Sequence, residues 1–338
     1  MSFYNAIYDV LGVVFGPILR VIYEVVHNYG VAIILFTVFC RLLMLPGSIS
    51  QQKKQAQSQR MQFKIRKLQE KYKDDKQKLQ QETQAVYQRE GYNPMSAGCS
   101  GGMMIQFPII FGLIAAIYRP LKYTLQISAE AIQTMTDKAS ELLGEAILGK
   151  AGTNTTTIQL TLVEQIEKFK SLIGTGGLTQ AVYDRILAFK DDFSLFGLNL
   201  GLKPSDVIHP AEGVAPVEVP HVWLYWAIPI LAALASMATS LYSYFKQRKL
   251  NPEQSKNPMM GCMTFGMPIF SGFISVSFPV GIGMYWIASS LIAFIQTVIL
   301  NYTHSPQKMT AKLLIDETIE RRSREDSRKR TYERLNAE

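Results

Sequence analysis

The charged side chains of this chain avoid long parts of the sequence. Of the 338 residues, 35 are Lys or Arg and 27 are Asp or Glu, yet five stretches of about 17 to 24 residues hold none except Arg41. A helix of about 20 apolar residues crosses a hydrocarbon core of roughly 30 Å, and only helices or closed barrels satisfy their backbone there. The pattern predicts an all-α polytopic membrane protein with five transmembrane helices. The predicted spans are residues 30–48, 102–118, 222–245, 260–278 and 280–302.

The charges of the connecting segments predict an orientation. Lys and Arg outnumber Asp and Glu by 11 to 5 in residues 50–95 and by 4 to 1 in residues 246–258, whereas residues 119–221 carry 9 against 12. Basic loops stay on the cytoplasmic side. We therefore expect the N-terminus and an enlarged loop, 119–221, outside the cell. A hairpin (49–95), a loop (246–259) and a charged tail (303–338) are expected in the cytoplasm.

Residues 1–29 are expected to lie on the membrane rather than cross it. Asp9 and Arg20 bracket only ten uncharged residues, about 15 Å of helix at ~1.5 Å per residue. Such a segment favours an amphipathic interfacial helix. A sixth span through residues 3–26 is the alternative.

Two extramembrane segments have helical apolar spacing. Residues 50–90 repeat apolar side chains at helical intervals, and Asp74 and Asp75 mark a turn between two helices. The net basic charge of this hairpin suits an anionic partner such as lipid headgroups, ribosomal RNA or an acidic protein, although a plain connector has the same pattern. Residues 127–149 and 158–190 of the outer loop predict a small helical cap.

The sequence offers no recognisable metal or enzyme site. Cys40, Cys99 and Cys262 are isolated and form no CxxC pair, and the four histidines lack ligand spacing. No nucleophile and base pair stands out either. We therefore expect no metal, no cofactor and no catalytic residue.

Arg41 is the most informative residue, because an ionised side chain within a span persists mainly where it faces protein or water. It lies about 16 Å along the helix from Gly30, on the cytoplasmic side of the membrane centre, with Thr37 one turn away. Polar residues of the other spans fall at the same depth: Gln106, Ser236, Thr239, Ser240, Ser243, Thr264 and Gln296. Ser289 and Ser290 reach mid-membrane. Together they predict a hydrophilic groove open to the cytoplasm. The alternative is that Arg41 only snorkels to the inner headgroups.

Serines in the outer half of the fourth predicted span are interpreted differently. Ser271, Ser275 and Ser277 lie away from that polar level, and small hydroxyl residues permit close contact between helices. We expect them to be packing residues.

The order of short motifs along the chain resembles the bacterial branch of the YidC/Oxa/Alb family of membrane-protein insertases. Together these motifs cover all five predicted spans. They are Tyr29-Gly30, Arg41-Leu42, Asn93-Pro94, Met104 to Ile109, Phe193 to Leu202, Met267 to Phe270, Phe278 to Gly281, Tyr285-Trp286 and Gln296.

The resemblance implies an insertase and chaperone that works without nucleotide hydrolysis or a cofactor. A nascent hydrophobic segment would enter the groove from the cytoplasm and leave sideways into the bilayer. Arg41 matches the groove arginine that attracts acidic residues of the client's short translocated tail, and Thr37, Gln106 and Trp286 match other groove positions. The predicted client-binding residues are Arg41, Thr37, Gln106, Ser236, Ser240, Thr264, Trp286 and Gln296.

The resemblance also implies partners and a location. The partners are nascent membrane-protein clients, membrane lipids and the ribosome, with Sec translocase and the signal-recognition-particle receptor as further candidates, and no small-molecule substrate. The location is the plasma membrane of a Gram-positive or related bacterium. About 70 residues of the outer loop, from roughly 120 to 190, exceed the family pattern, and residues 97–102 lack the usual proline.

A small-solute transporter or channel, with Arg41 binding an anionic substrate, is the alternative function. Transporters commonly contain internal repeats and need polar access from both sides. The sequence has no visible repeat and an apolar outer half, which favours the insertase.

Overall fold

The computed structural model describes residues 3–73, 75–91, 101–148, 157–209, 219–250, 258–303 and 305–335. They are almost entirely helical, with one short hairpin. The helices are α1 (Phe3–Val26), α2 (Tyr29–Leu43), α3 (Leu45–Lys71), α4 (Lys76–Arg89), α5 (Gly101–Tyr118), α6 (Pro120–Tyr123), α7 (Ala129–Leu143), α8 (Glu145–Leu148), α9 (Ile158–Glu164), a 3-10 helix (Ile166–Leu172), α10 (Gln180–Asp192), α11 (Pro204–Ile208), α12 (Val222–Leu250), α13 (Pro258–Val276), α14 (Val280–Thr303) and α15 (Pro306–Leu335). The strands are β1 (Ser194–Leu195) and β2 (Leu198–Asn199).

The chain divides into two compact units. The first comprises Met1–Leu43 and Gln106–Ile295, and the second Met44–Ile105 and Gln296–Glu338. Asn93-Pro94, residues 97–100 and residues 251–257 fall outside the described residues.

Within the described residues, two helices are long and apolar enough to cross a membrane, Val222–Lys249 and Val280–Thr303. Tyr29–Leu43 with Leu45–Gln52 adds a third candidate if this bent pair counts as one broken span. Shorter apolar helical segments occupy Phe107–Tyr118 and Thr264–Val276. The predicted helical membrane class is confirmed, and the count of five spans stays a prediction.

The helix of the first predicted span ends before the apolar stretch of the sequence ends. α2 stops at Leu43, whereas the predicted span runs to residue 48. Met44 is the N-cap of α3, and Pro46 lies in the first turn of that helix. Proline lacks a backbone N–H and is tolerated in a first turn but not in a helix interior, so Pro46 favours a new helix here.

The N-terminal helix is fixed to the segment that follows α5 by one carboxylate. Asp9 Oδ1 accepts from Arg119 Nη1 at 2.8 Å, from Lys122 Nζ at 2.8 Å and from Tyr123 Oη at 2.5 Å. Gly16 allows close approach, because a Cβ there would lie 2.8 Å from Tyr123 Cβ. α1 is therefore held against α6, and it is not among the candidate spans found in the described residues.

The segment between α5 and α12 forms a small helical cap, defined here as residues 120–208 where they are described. Ser128 and Thr179 cap α7 and α10 by accepting from the backbone N–H of Ala131 and Val182, each at 3.3 Å. This is the usual role of Ser and Thr at helix starts. The helices bury a shared apolar core that includes Met135, Leu162, Ile166, Phe169, Ile186 and Phe189.

An aromatic cluster joins the cap to α1 and α2. The Tyr29 ring lies 5.2 Å from that of Phe189 and 4.9 Å from that of Phe193, and the Tyr23 ring lies 5.4 Å from that of Phe189. Tyr23 Oη also donates to Asp192 Oδ2 at 2.8 Å. Aromatic pairs at such distances add specific stabilisation to their burial, so these contacts attach the cap to the N-terminal end of α2.

The residues after the hairpin complete the N-terminus of α14. Gly281 N donates to Leu200 O and Val280 N to Leu202 O, both at 2.9 Å. The first N–H groups of a helix have no partner within the helix, and here the cap supplies two. The start of α14 is thereby tied to the cap.

The second unit contains the basic hairpin and the tail. The predicted helix pair is present as α3 and α4, and Asp75 Oδ1 caps α4 by accepting from Lys78 N at 2.9 Å. Met61, an apolar residue of α3, is buried. α15 packs along α3, and its described side chains are exposed from Thr318 to Leu335.

Small residues bring α12, α13 and α14 close together. A Cβ at Gly272 would lie 2.8 Å from Ala233 Cβ and 3.2 Å from Pro229 O, and one at Gly283 would lie 3.1 Å from Ser275 Oγ. Ser275 is 1% exposed, and among the described residues its hydroxyl has no hydrogen-bond partner. This location is the one expected of a packing residue, as predicted.

Gly272→Ala should destabilise the protein, whereas Gly266→Ala on the same helix should not. The added methyl at 272 must displace α12, and overpacking costs about 1–3 kcal/mol. At Gly266 the nearest atom to a Cβ is Cys262 Sγ at 3.8 Å, so alanine should gain up to about 1 kcal/mol of helix propensity. Thermal unfolding of both variants in detergent measures the difference. Equal shifts in melting temperature would contradict the close packing.

Candidate functional site

Arg41 lies in the last turn of α2 and reaches α14. Its Nη2 donates to Ser289 Oγ at 2.5 Å, and Ser289 is only 4% exposed. The flanking residues of α2 are apolar, and no carboxylate among the described residues forms an ion pair with this guanidinium. The positive charge is thus half-buried and held by a neutral hydroxyl. An anionic group that arrived here would find an unneutralised cation in a weakly screening environment.

A second polar contact connects α14 to α12. Ser236 Oγ lies 3.0 Å from Ser290 Oγ, and Thr239 Oγ1 donates to Ser290 O at 3.3 Å. Successive residues of a helix point about 100° apart, so Ser289 faces α2 while Ser290 faces α12. The polar residues that line up at one depth in the sequence are therefore partly brought together in the fold.

Ser289 and Ser290 were not among the predicted client-binding residues. The sequence predicts both residues at mid-membrane as part of the hydrophilic groove, without a role in client binding. The sequence feature that could have identified them as site residues is the adjacent pair of hydroxyl side chains within an apolar span. The Arg41 side chain is long enough to reach Ser289. Counting backbone positions along the helix does not reveal this reach.

Thr37 turns inward to its own helix. It is 1% exposed, and its Oγ1 donates to Ile33 O at 2.7 Å. A threonine in a span commonly satisfies its hydroxyl in this way. The residue lies one turn from Arg41, as predicted, but its hydroxyl is already occupied, so contact with a client stays a prediction.

The remaining predicted site residues occupy different settings. Trp286 is half-buried, one turn before Ser289 on α14, with its ring 5.6 Å from that of Phe278 in an edge-on arrangement. Ser240 is half-buried one turn beyond Ser236, and Thr264 is half-buried on α13. Gln296 is half-buried in the second unit. Gln106 lies on α5, but its side chain falls outside the described part of the chain.

Metal ligation has no candidate in the described part of the chain. No group of three or more His, Cys, Asp or Glu side chains is placed to hold an ion there. Cys40 is a buried free thiol and Cys262 an exposed one.

Comparison with known proteins assigns the family. Residues 21–308 match the family described as "60Kd inner membrane protein", which is the YidC/Oxa1 family. The chain belongs to this family. The match covers α2, α12 and α14, the three helices that carry Arg41, Ser289 and the Ser236–Ser290 contact.

The similar proteins carry insertase names. "Membrane protein insertase MisCA" of Bacillus subtilis is 28% identical over 281 residues, 81% of this chain and 70% of the relative. "Membrane protein insertase YidC" of Granulibacter bethesdensis is 27% identical over 293 residues, 86% of this chain and 38% of the relative. The YidC of Syntrophus aciditrophicus is 41% identical over 109 residues, 32% of this chain and 19% of the relative. The chain thus spans well under half the length of these YidC relatives.

The contact between α12 and α14 can be checked by cross-linking. With the native cysteines replaced by alanine, Ser236→Cys and Ser290→Cys should form a disulfide under mild oxidation, because their oxygens lie 3.0 Å apart and paired Cβ atoms must approach within about 4.5 Å. The pair should then lose reactivity toward a maleimide added after denaturation.

The matched control pairs Ser236→Cys with Leu291→Cys. Leu291 is 49% exposed, one position from Ser290, and both thiols of this pair should stay reactive. If the cysteines at 236 and 290 remained as reactive as those of the control pair, the contact between Ser236 and Ser290 would be refuted.

Proposed function

We propose that this protein is a membrane-protein insertase that receives nascent hydrophobic segments from the cytoplasm in a hydrophilic groove and releases them sideways into the bilayer. The observation that carries the proposal is the Arg41 guanidinium, held by Ser289 without a described carboxylate partner. The family membership and the insertase names of the relatives support it.

The physical basis is a lower barrier for the polar tail of the client. Moving a charged or polar segment through about 30 Å of hydrocarbon is costly. Polar contacts part-way across the membrane would come from Arg41, Ser289, Ser290 and Ser236. The client's polar tail would then cross a shorter apolar distance. Arg41 in addition attracts an acidic tail electrostatically. The protein then lowers a kinetic barrier.

The driving force of the proposed reaction comes from the client. Burial of an apolar side chain yields roughly 25 cal/mol per Å² removed from water, and a transmembrane segment of about 20 apolar residues supplies a large total. No nucleotide hydrolysis and no cofactor are needed in this mechanism, and no catalytic residue is assigned.

The proposed topology has five spans, with the N-terminus and the cap outside and the hairpin, the loop 246–259 and the tail in the cytoplasm. The distribution of basic residues supports this orientation. The proposed groove is lined by Arg41, Ser236, Thr37, Gln106, Ser240, Thr264, Trp286 and Gln296. The plasma membrane of a bacterium is the proposed location.

The basic hairpin is the proposed site of first contact. Residues 50–95 carry 11 Lys and Arg against 5 Asp and Glu, and in α3 and α4 most described charged side chains are exposed. Anionic headgroups and ribosomal RNA are suitable partners for such a surface. Clients, lipids and the ribosome are the proposed partners, with Sec translocase and the signal-recognition-particle receptor as further ones.

Arg41→Ala should impair insertion of a client with an acidic translocated tail more than one with a neutral tail. An ion pair about 8 Å apart, at an effective dielectric constant of ~20, is worth about 2 kcal/mol, roughly thirty-fold in rate. Arg41→Lys should retain much of the activity, because it keeps the charge. The measurement is insertion of matched clients into proteoliposomes or into cells depleted of their own insertase.

Two comparisons make this test specific. Lys122→Ala removes an exposed cation of the cap and should affect both clients equally. Equal insertion of acidic and neutral clients by Arg41→Ala would refute the electrostatic role, and failure of the native chain to rescue depleted cells would refute the insertase function.

Access to the groove distinguishes an insertase from a transporter. In a chain without other cysteines, cysteines at positions 106, 240 and 296 should react with a membrane-impermeant thiol reagent from the cytoplasmic side alone. Labelling from the outer side would instead support a transport path that uses Arg41 to bind an anionic solute.

A further inference from the structure

The turn between β1 and β2 places an aromatic residue in an unfavourable backbone conformation. Phe196 has φ +54° and Gly197 has φ +76°, and Leu195 pairs with Leu198 across this two-residue connection. Two positive φ values characterise a type I′ turn, whose first position favours Asn, Asp or Gly. A bulky residue with positive φ is a genuine outlier.

Packing within the chain does not explain the presence of a phenylalanine there. The Phe196 side chain is 79% exposed, among the most exposed large apolar residues in the described part of the chain, whereas Leu198 next to the turn is 3% exposed. Leu195 contacts the start of α2 so closely that a Cβ on Gly30 would lie 2.6 Å from Leu195 Cβ. Leu195 and Leu198 therefore fix the hairpin to the protein, while the Phe196 ring at its turn points toward the surroundings. Strain that the fold itself does not require is typical of functional positions.

The depth of the hairpin is given by the helices that it touches. Leu195 lies against Gly30, in the first turn of α2, and Asn199 N donates to Tyr225 Oη at 3.1 Å, in the first turn of α12. α12 is one of the helices long and apolar enough to cross a membrane. With α12 spanning the bilayer, the turn lies at the level of the N-terminal end of this helix, whichever way the chain is oriented.

The same end of α12 carries exposed tryptophans. Trp223 and Trp226 in the first turn of α12 are 66% and 46% exposed. Tryptophan at the end of a spanning helix lies at the level of the lipid headgroups. Residues 193–202 contain no ionisable side chain, so bringing the turn into the interface would desolvate no charge. Phe196 lies three residues before Asn199, whose backbone contacts Tyr225 between these two tryptophans.

We propose that Phe196 is a membrane-contacting residue of the cap, whose ring inserts into the interfacial region of the bilayer beside α2 and α12. Its partner is a lipid surface. The ring would fix the distance between cap and membrane, while the aromatic cluster fixes the cap to α2. This inference rests on the membrane location of α12 and is independent of the insertase function.

Spin labels on the full-length chain in phosphatidylcholine and phosphatidylglycerol liposomes test the proposal. In a background with Cys40, Cys99 and Cys262 changed to alanine, single labels are placed by Phe196→Cys, Trp223→Cys and Ser140→Cys. Ser140 is an exposed residue of the cap beside the Lys138–Glu141 ion pair, and it serves as the aqueous control. Accessibility to oxygen relative to a nickel chelate reports depth in the membrane.

The label at position 196 should have an oxygen-to-nickel accessibility ratio similar to that at position 223 and several-fold above that at position 140. A ratio at 196 equal to that at 140 would overturn the proposal and would point to a protein partner for the exposed ring instead.

A second measurement uses a variant that retains an aromatic ring. With Trp223, Trp226 and Trp286 changed to phenylalanine, Phe196→Trp provides the single tryptophan of the chain. Lipids brominated near the headgroup end of the acyl chain should quench its fluorescence at least as strongly as they quench a Trp223-only variant. Absence of quenching in a protein with native far-UV circular dichroism would also overturn the proposal.

Discussion

The partial burial of one guanidinium among apolar helices is the constraint on which the proposed groove depends. Removing a cation from water is expensive unless hydrogen bonds or water compensate it. Arg41 obtains part of that compensation from Ser289, a hydroxyl that is itself buried. A hydroxyl stabilises the charge without neutralising it. The geometry therefore leaves the cation able to attract an anion, which a buried carboxylate partner would have prevented.

α14 is the element that ties the first unit together. Its N-terminus receives two carbonyls of the cap, and its middle presents Ser289 to α2 and Ser290 to α12. The cap is in turn fixed to α2 through Tyr29, Phe189 and Phe193. The same helices are thus held at one end by the cap and further along by hydroxyl contacts. In the proposed groove, the cap would close this end.

The sequence predicted the helical membrane class, because segregation of charge and helical length are properties of single segments. Asp75 predicted the turn between α3 and α4 for the same local reason. The hairpin β1–β2 was not predicted, since its strands have two residues each and carry too short a pattern. The break after Leu43 was also missed, because the apolar run continues to Pro46 while the backbone geometry of that proline starts a new helix.

The candidate site was predicted less completely than the fold. Residue depth along a helix can be counted from the sequence, but the count does not show that Ser236 contacts Ser290. The direction in which a side chain points depends on how helices rotate against one another, which one sequence does not encode in a readable pattern. For this reason the sequence did not reveal that the Thr37 hydroxyl donates to Ile33 O, or that Ser289 is the partner of Arg41. The long Arg side chain adds to this difficulty, since its charged end lies several ångströms from the position that the count assigns to its backbone. A charged residue in a predicted span is consequently best interpreted together with hydroxyl residues up to about one turn deeper than its own Cα.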